Sequence, residues 1–150
     1  MNKLNSILKS DAVLPLHKKT ALNLICTNNY LSEQFQEFFK SFNLTGQQYN
    51  VLRILRGQKG IPANLSTIQE RMIHKNSNTS RLIDKLIQKR FVERNQCEEN
   101  RRKIELIITK KGLAILNKID PELDELETIF FKKLSVDEIE TLNNILEKLR

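Results

Sequence analysis

Tryptophan is absent from this 150-residue chain, and histidine and cysteine occur only twice each. His17 and His74 fall on different predicted elements, so there is no His/Cys set with metal-ligand spacing, and both read as surface or satisfied polar residues. Cys26 and Cys97 are too few and too far apart for a disulfide framework, so reduced thiols and a cytoplasmic location are the expectation. The four glycines form no phosphate-cradling run. No apolar stretch approaches the roughly 18–20 residues that a membrane span needs. Residues 1–10 lack the roughly 7–15-residue apolar core of a signal peptide. These absences leave enzymatic chemistry without support: no catalytic residue, metal or cofactor is assigned, and no membrane partner is expected.

What is present is charge, unevenly distributed. The net charge is +7, with 39% hydrophobic and 29% charged residues. Residues 1–44 carry 5 Lys/Arg against 3 Asp/Glu, residues 45–112 carry 15 against 6, and residues 113–150 carry 5 against 9. The middle is therefore +9 between ends of +2 and −4. A basic middle flanked by near-neutral and acidic ends is the distribution expected when one region faces a polyanion.

Helix starts are well marked. Thr45-Gly46-Gln47-Gln48, Ser66-Thr67-Ile68-Gln69 and Ser135-Val136-Asp137-Glu138 fit capping boxes, and Thr109 is a candidate fourth N-cap. Leu44 with Tyr49, and Leu134 with Ile139, are placed as hydrophobic staples. Between these starts the apolar spacing is helical. One stripe runs through Leu22, Ile25, Leu31, Phe35, Phe38, Phe39 and Phe42, and another through Leu52 and Leu55 until Gly57, Gly60 and Pro62. Leu82, Ile83, Leu86 and Ile87 mark a helix beginning near Asn76. Residues 91–94 and 103–109 break the period and read as strands of a hairpin, joined by the polar stretch 95–102. Helical spacing returns at Leu113, Leu116 and Ile119. Pro121 is expected to kink or break that helix, with Asp120 capping the next piece. Ile139, Leu142, Ile145, Leu146 and Leu149 form the last stripe.

Two short helices, a tight turn and a basic-tipped hairpin predict a winged helix-turn-helix. The first helix, residues 66–72, would cross a duplex backbone, and the second, residues 76–89, would enter the major groove. Lys75, Ser77, Asn78, Ser80 and Arg81 lie at its exposed N-terminal end, where small polar groups permit close approach and the helix dipole favours phosphate. Arg81 can reach a guanine edge or a phosphate. Arg101, Arg102 and Lys103 put three consecutive cations in the hairpin loop, where a guanidinium can enter the minor groove.

The pieces Leu44-Thr45, Gln48-Tyr49-Asn50-Val51-Leu52, Leu65-Ser66, Asn78-Thr79-Ser80-Arg81-Leu82-Ile83-Asp84-Lys85-Leu86, Val92-Glu93-Arg94, Arg101-Arg102 and Thr109-Lys110-Lys111-Gly112 stand in the order seen in the MarR family of bacterial regulators, which residues 44–112 resemble. The resemblance implies a mainly α protein with a small β-hairpin wing. It implies a single domain over residues 1–150, with a DNA-binding lobe at 44–112 and dimerisation helices at 12–43 and 113–150. It further implies a homodimer on a pseudo-palindromic double-stranded DNA operator, often with a small-molecule effector, and Arg102 as the wing residue in the minor groove. Two positions depart. Asn100 stands where Asp is usual, and Arg90 stands where Gly is usual after the recognition helix. A non-glycine in the left-handed region costs ~1 kcal/mol, so that turn is expected to differ locally.

Two other readings compete. Cys26, Tyr30 and Tyr49 loosely resemble the thiol and tyrosines of the peroxide-sensing branch of the same family, although a lone cysteine on a helix is more often a small core residue. A helical dimeric adaptor without DNA binding is the reading from another class, and the cations at Arg81, Arg101 and Arg102 argue against it.

Overall fold

The computed structural model describes residues 3–9, 12–75, 77–96 and 104–150. In chain order they form α1 (Lys3–Leu8), α2 (Leu16–Ser41), α3 (Gly46–Gly57), α4 (Leu65–Arg71), α5 (Thr79–Gln88), β1 (Val92–Gln96), β2 (Ile104–Ile108), α6 (Lys110–Phe131) and α7 (Val136–Lys148). No helix among the described residues is long and apolar enough to cross a membrane. The chain divides into two compact units, residues 1–46 and 47–150.

In the first unit α2 carries the aromatic stripe. The Phe38 ring meets Phe39 and Phe42 edge-on, with centroids 5.2 and 5.3 Å apart. Asn43 takes a left-handed conformation (φ 55°). Its N–H donates to Lys40 O, and that of Leu44 to Phe39 O, closing the helix with a Schellman motif. α1 leaves no pattern in the sequence, because its six residues are under two turns and too few for a period to show.

The second unit has a core drawn from every element before α7. Leu52 and Leu55 of α3, Ile68 of α4, Ile83 and Leu86 of α5, Val92 of β1, Leu106 of β2, and Leu116 and Ile119 of α6 are almost fully buried. Each such side chain contributes ~1.5–3 kcal/mol relative to exposure. β1 and β2 pair antiparallel from Val92↔Ile108 to Gln96↔Ile104. Ala63 adds a bridge on the other edge of β2, exchanging N–H···O bonds of 3.0 and 2.8 Å with Leu106.

That bridge corrects the expected start of α4. Pairing keeps the backbone extended through Asn64 (φ −89°, ψ 171°), so Asn64 rather than Ser66 is the N-cap. Its Oδ1 accepts from Thr67 N, Thr67 Oγ1 and Ser66 Oγ. The second helix also begins later than residue 76. A turn closed by Ser77 N→His74 O precedes it, and Asn78 is the cap, accepting from Arg81 N at 3.1 Å. The strand pairing runs two residues further than expected on the β1 side, through Gln96.

Pro121 does not break α6, which runs unbroken over 22 residues. Proline removes one N–H from the ladder, and Asp120, expected as a cap, instead accepts hydrogen bonds from α3. Ser135 caps α7 with both bonds of the capping box in place, as its spacing predicts. α7 buries no residue, and Ile145 and Leu149 remain exposed, as do Ile129 and Phe131 near the end of α6.

Arg90 adopts the left-handed conformation that glycine usually supplies, with φ 61°. Arg90 N→Ile87 O (2.8 Å) and Phe91 N→Leu86 O (3.0 Å) complete a Schellman motif at the end of α5, so the turn keeps its form and bears the strain. Arg90→Gly should therefore raise stability. The relief of ~1 kcal/mol is partly offset by the freer unfolded chain, leaving roughly 0.5 kcal/mol, measurable by urea unfolding. A loss of stability would mean that the Arg90 side chain holds something the strain argument omits.

Candidate nucleic-acid interface

The second and third helices of the lobe, α4 and α5, are joined by residues 72–78, and α3 holds that connection by an Asn50 Oδ1 that accepts from Ile73 N at 3.1 Å. α5 then divides its side chains cleanly. Ile83 and Leu86 face the core, while Ser80, Arg81, Asp84 and Lys85 are exposed. The candidate contact residues at its N-terminus are not equivalent. Ser77 Oγ donates to His74 O, Asn78 Oδ1 is used as the cap, and Thr79 is buried. Lys75 Nζ donates to Glu70 O at 2.6 Å, bordering an open depression that Ser66, Gln69 and Glu70 complete. Among the described residues Ser80 and Arg81 have no side-chain partner, which leaves them available on the first turn of a helix whose positive end faces outward.

Arg94, another cation of the lobe, is anchored. Arg94 of β1 donates to Asp84 of α5 at 2.8 Å, tying the base of the hairpin to the second helix. Both side chains are about half exposed, so the pair contributes at most ~1 kcal/mol and acts mainly on geometry. Ten residues apart on a helix and a strand, the two carry no spacing signal that would reveal this tie in the sequence. Arg101, Arg102 and Lys103, together with Asn100 and Cys97 of the hairpin loop and Asn76, lie outside the described residues.

The residues of the redox reading are placed as follows. Cys26 is half-buried on α2, and Tyr30 is exposed one turn later. Tyr49 is buried on α3, where its hydroxyl donates to Asp120 Oδ1 at 2.9 Å, while Arg56 pairs with Asp120 Oδ2. Burial first, and then the Asp120 carboxylate, push the Tyr49 pKa up to about 12, against the opposing pull of Arg53 and Arg56. Its proton therefore stays on the hydroxyl at neutral pH. The stability that this bond contributes is present below the ordinary tyrosine pKa of about 10 and is lost as pH rises through about 12. Among the described residues no group of three or more His, Cys, Asp or Glu is placed to hold a metal ion.

A lobe of this geometry can present one helix end and one hairpin to a duplex. The model of the MarR family matches residues 44–104, the span that contains α3 to β1 and the hairpin loop. The crystal structure of a MarR transcription factor from Planctomyces limnophilus superposes with a TM-score of 0.71 at 29% identity, covering 91% of this chain and 98% of that one. Over residues 44–104 the chain is similar to the MarR family, and the likeness of fold extends over most of its length. The transcriptional regulator PapX of Escherichia coli is 23% identical to it over 140 residues, covering 93% of this chain and 85% of PapX. An organohalide-sensing regulator in its 2,4-dichlorophenol-bound form shares the fold with a TM-score of 0.82 at 14% identity, over 92% of this chain and 81% of the other. MarR-family proteins are transcriptional regulators and not enzymes.

Proposed function

We propose that this chain is a DNA-binding transcriptional regulator of the MarR type that grips an inverted-repeat operator as a homodimer, with α5 in the major groove and the hairpin loop at the minor groove. The first turn of α5 carries this reading. Ser80 and Arg81 stand exposed on a helix whose other face is locked into the core by Ile83 and Leu86. Lys75, Ser77 and Asn78 border them, with the Asn78 amide group left to donate once its oxygen caps the helix. Arg102, with Arg101 and Lys103 beside it, supplies the minor-groove cation. The exposed apolar residues of α7 and of the end of α6 in one unit, and Leu24 and Ile25 of α2 in the other, support a dimer built from the ends of the chain. A small aromatic effector that changes operator affinity fits the fold shared with the dichlorophenol-bound regulator. Such a protein works where the bacterial chromosome is, in the cytoplasm.

The two arginines separate by experiment. Arg81→Ala should lower affinity and relax preference at one operator position, worth ~1–3 kcal/mol if the guanidinium reads a base edge. Arg102→Ala should weaken binding with less change in major-groove preference. Selection of bound fragments with each variant checks both. Identical preferences for the wild type and the Arg81 variant would remove the base-reading role.

A further inference from the structure

α6 opens with a charge arrangement that helix physics disfavours. Its first two residues are Lys110 and Lys111, and its first turn holds no acidic residue, although cations are destabilising at the positive end of a helix. The geometry explains Lys111. Its Nζ donates to the carbonyl of Lys89 at 3.1 Å. Lys89 is the C-cap of α5, so the ammonium misplaced on α6 sits at the negative end of the neighbouring helix. The Lys111 Nζ also lies 5.1 Å from the centroid of the Phe91 ring. Thr109, the N-cap of α6, holds the next two carbonyls: its Oγ1 donates to Arg90 O at 2.8 Å, and its N–H donates to Phe91 O at 3.0 Å. The carbonyls of Lys89, Arg90 and Phe91 are thus all taken by residues 109 and 111.

We propose that Lys111 is a positioning residue for DNA recognition, the pin that sets how α5 leaves α6. α6 is a single helix from this junction to Ile129 and Phe131, exposed residues assigned above to the dimer. Whatever fixes α5 against the first turn of α6 therefore fixes the separation and tilt of the two recognition helices in a dimer. A loosened pin leaves each half-site contact intact and widens the range of half-site separations that the dimer accepts. The inference rests on the DNA-binding reading.

The test uses the purified full-length protein and palindromic duplexes built from a wild-type-selected half-site, with the separation changed one base pair at a time. For the wild type, a one-base-pair shift should cost at least about tenfold in affinity. In Lys111→Met that penalty should fall to less than about threefold. The melting temperature should stay within about 4 °C, as expected for loss of a surface contact, and the slope of log affinity against log salt should not change. Lys111→Arg, which keeps a cationic donor, should restore the wild-type separation profile. An unchanged profile in Lys111→Met would overturn the proposal while leaving the DNA reading standing. So would a salt slope shallower by ~0.9 per subunit, because Lys111 would then be a phosphate contact. A wild type that binds no duplex selectively would overturn the DNA reading, and this inference with it.

Discussion

Gly112→Ala is expected to destabilise the protein by roughly 1–3 kcal/mol, the range for forcing an extra methyl into filled space. Gly112 is buried in the first turn of α6, where its N–H donates to Thr109 Oγ1. A Cβ there would lie 2.3 Å from the carbonyl oxygen of Phe91 and 2.7 Å from Ile108 Cγ1. The Ile108 side chain could shift, but the Phe91 carbonyl is backbone and is already held by Thr109 N–H. Relief must come from displacing α6, which would pull on the Thr109 and Lys111 contacts to the end of α5. Gly57→Ala is the control: its Cβ would meet nothing within 4 Å, and it should be neutral or stabilising by up to ~1 kcal/mol. Thermal unfolding of both variants reads the difference as a fall of several degrees for Gly112→Ala, at ~2–4 °C per kcal/mol for a chain of this size. A Gly112→Ala protein that melts with the wild type would contradict the close approach of α6 to Phe91.

The features legible in the sequence were those whose physics is local. The Ser135–Glu138 box and the Thr109 cap are decided within four residues, and both form as their spacing predicts. The wing strands showed as a break in helical period, and the structure moved only their ends. Where two local signals competed, distant chain settled the outcome. Asn64 and Ser66 can each cap a helix, and the pairing of Ala63 with Leu106 selects Asn64. Pro121 does not interrupt α6, because the loss of one N–H does not end a helix whose Leu116, Ile119 and Leu123 are buried. The ties that orient the lobe left no trace in the pattern. Asp120 meets Tyr49 and Arg56 across 71 and 64 residues, and Lys111 meets Lys89 across 22, distances at which residue spacing carries no signal. Arg90 shows the converse case. Its departure from glycine was visible, but the Schellman bonds hold the turn in the left-handed form anyway.

Symmetric, charge-driven recognition of a duplex is the central claim, and binding to a selected palindrome across a salt series tests it most directly. A two-fold dimer presents its two α5 helices to half-sites ~34–36 Å apart, about one helical turn. Lys75, Arg81, Arg101, Arg102 and Lys103 of each subunit are the candidate phosphate or groove contacts. If only about half of these cations displace counterions, log affinity should fall against log salt with a slope of roughly −4 or steeper, at ~0.9 per phosphate. Scrambling one half-site should cost at least about a hundredfold at fixed salt, since one subunit then meets non-specific sequence. Equal affinity for the intact and half-scrambled duplexes would show that the subunits do not engage DNA symmetrically, and a flat salt series would contradict the assignment of the basic middle of this chain as a DNA surface.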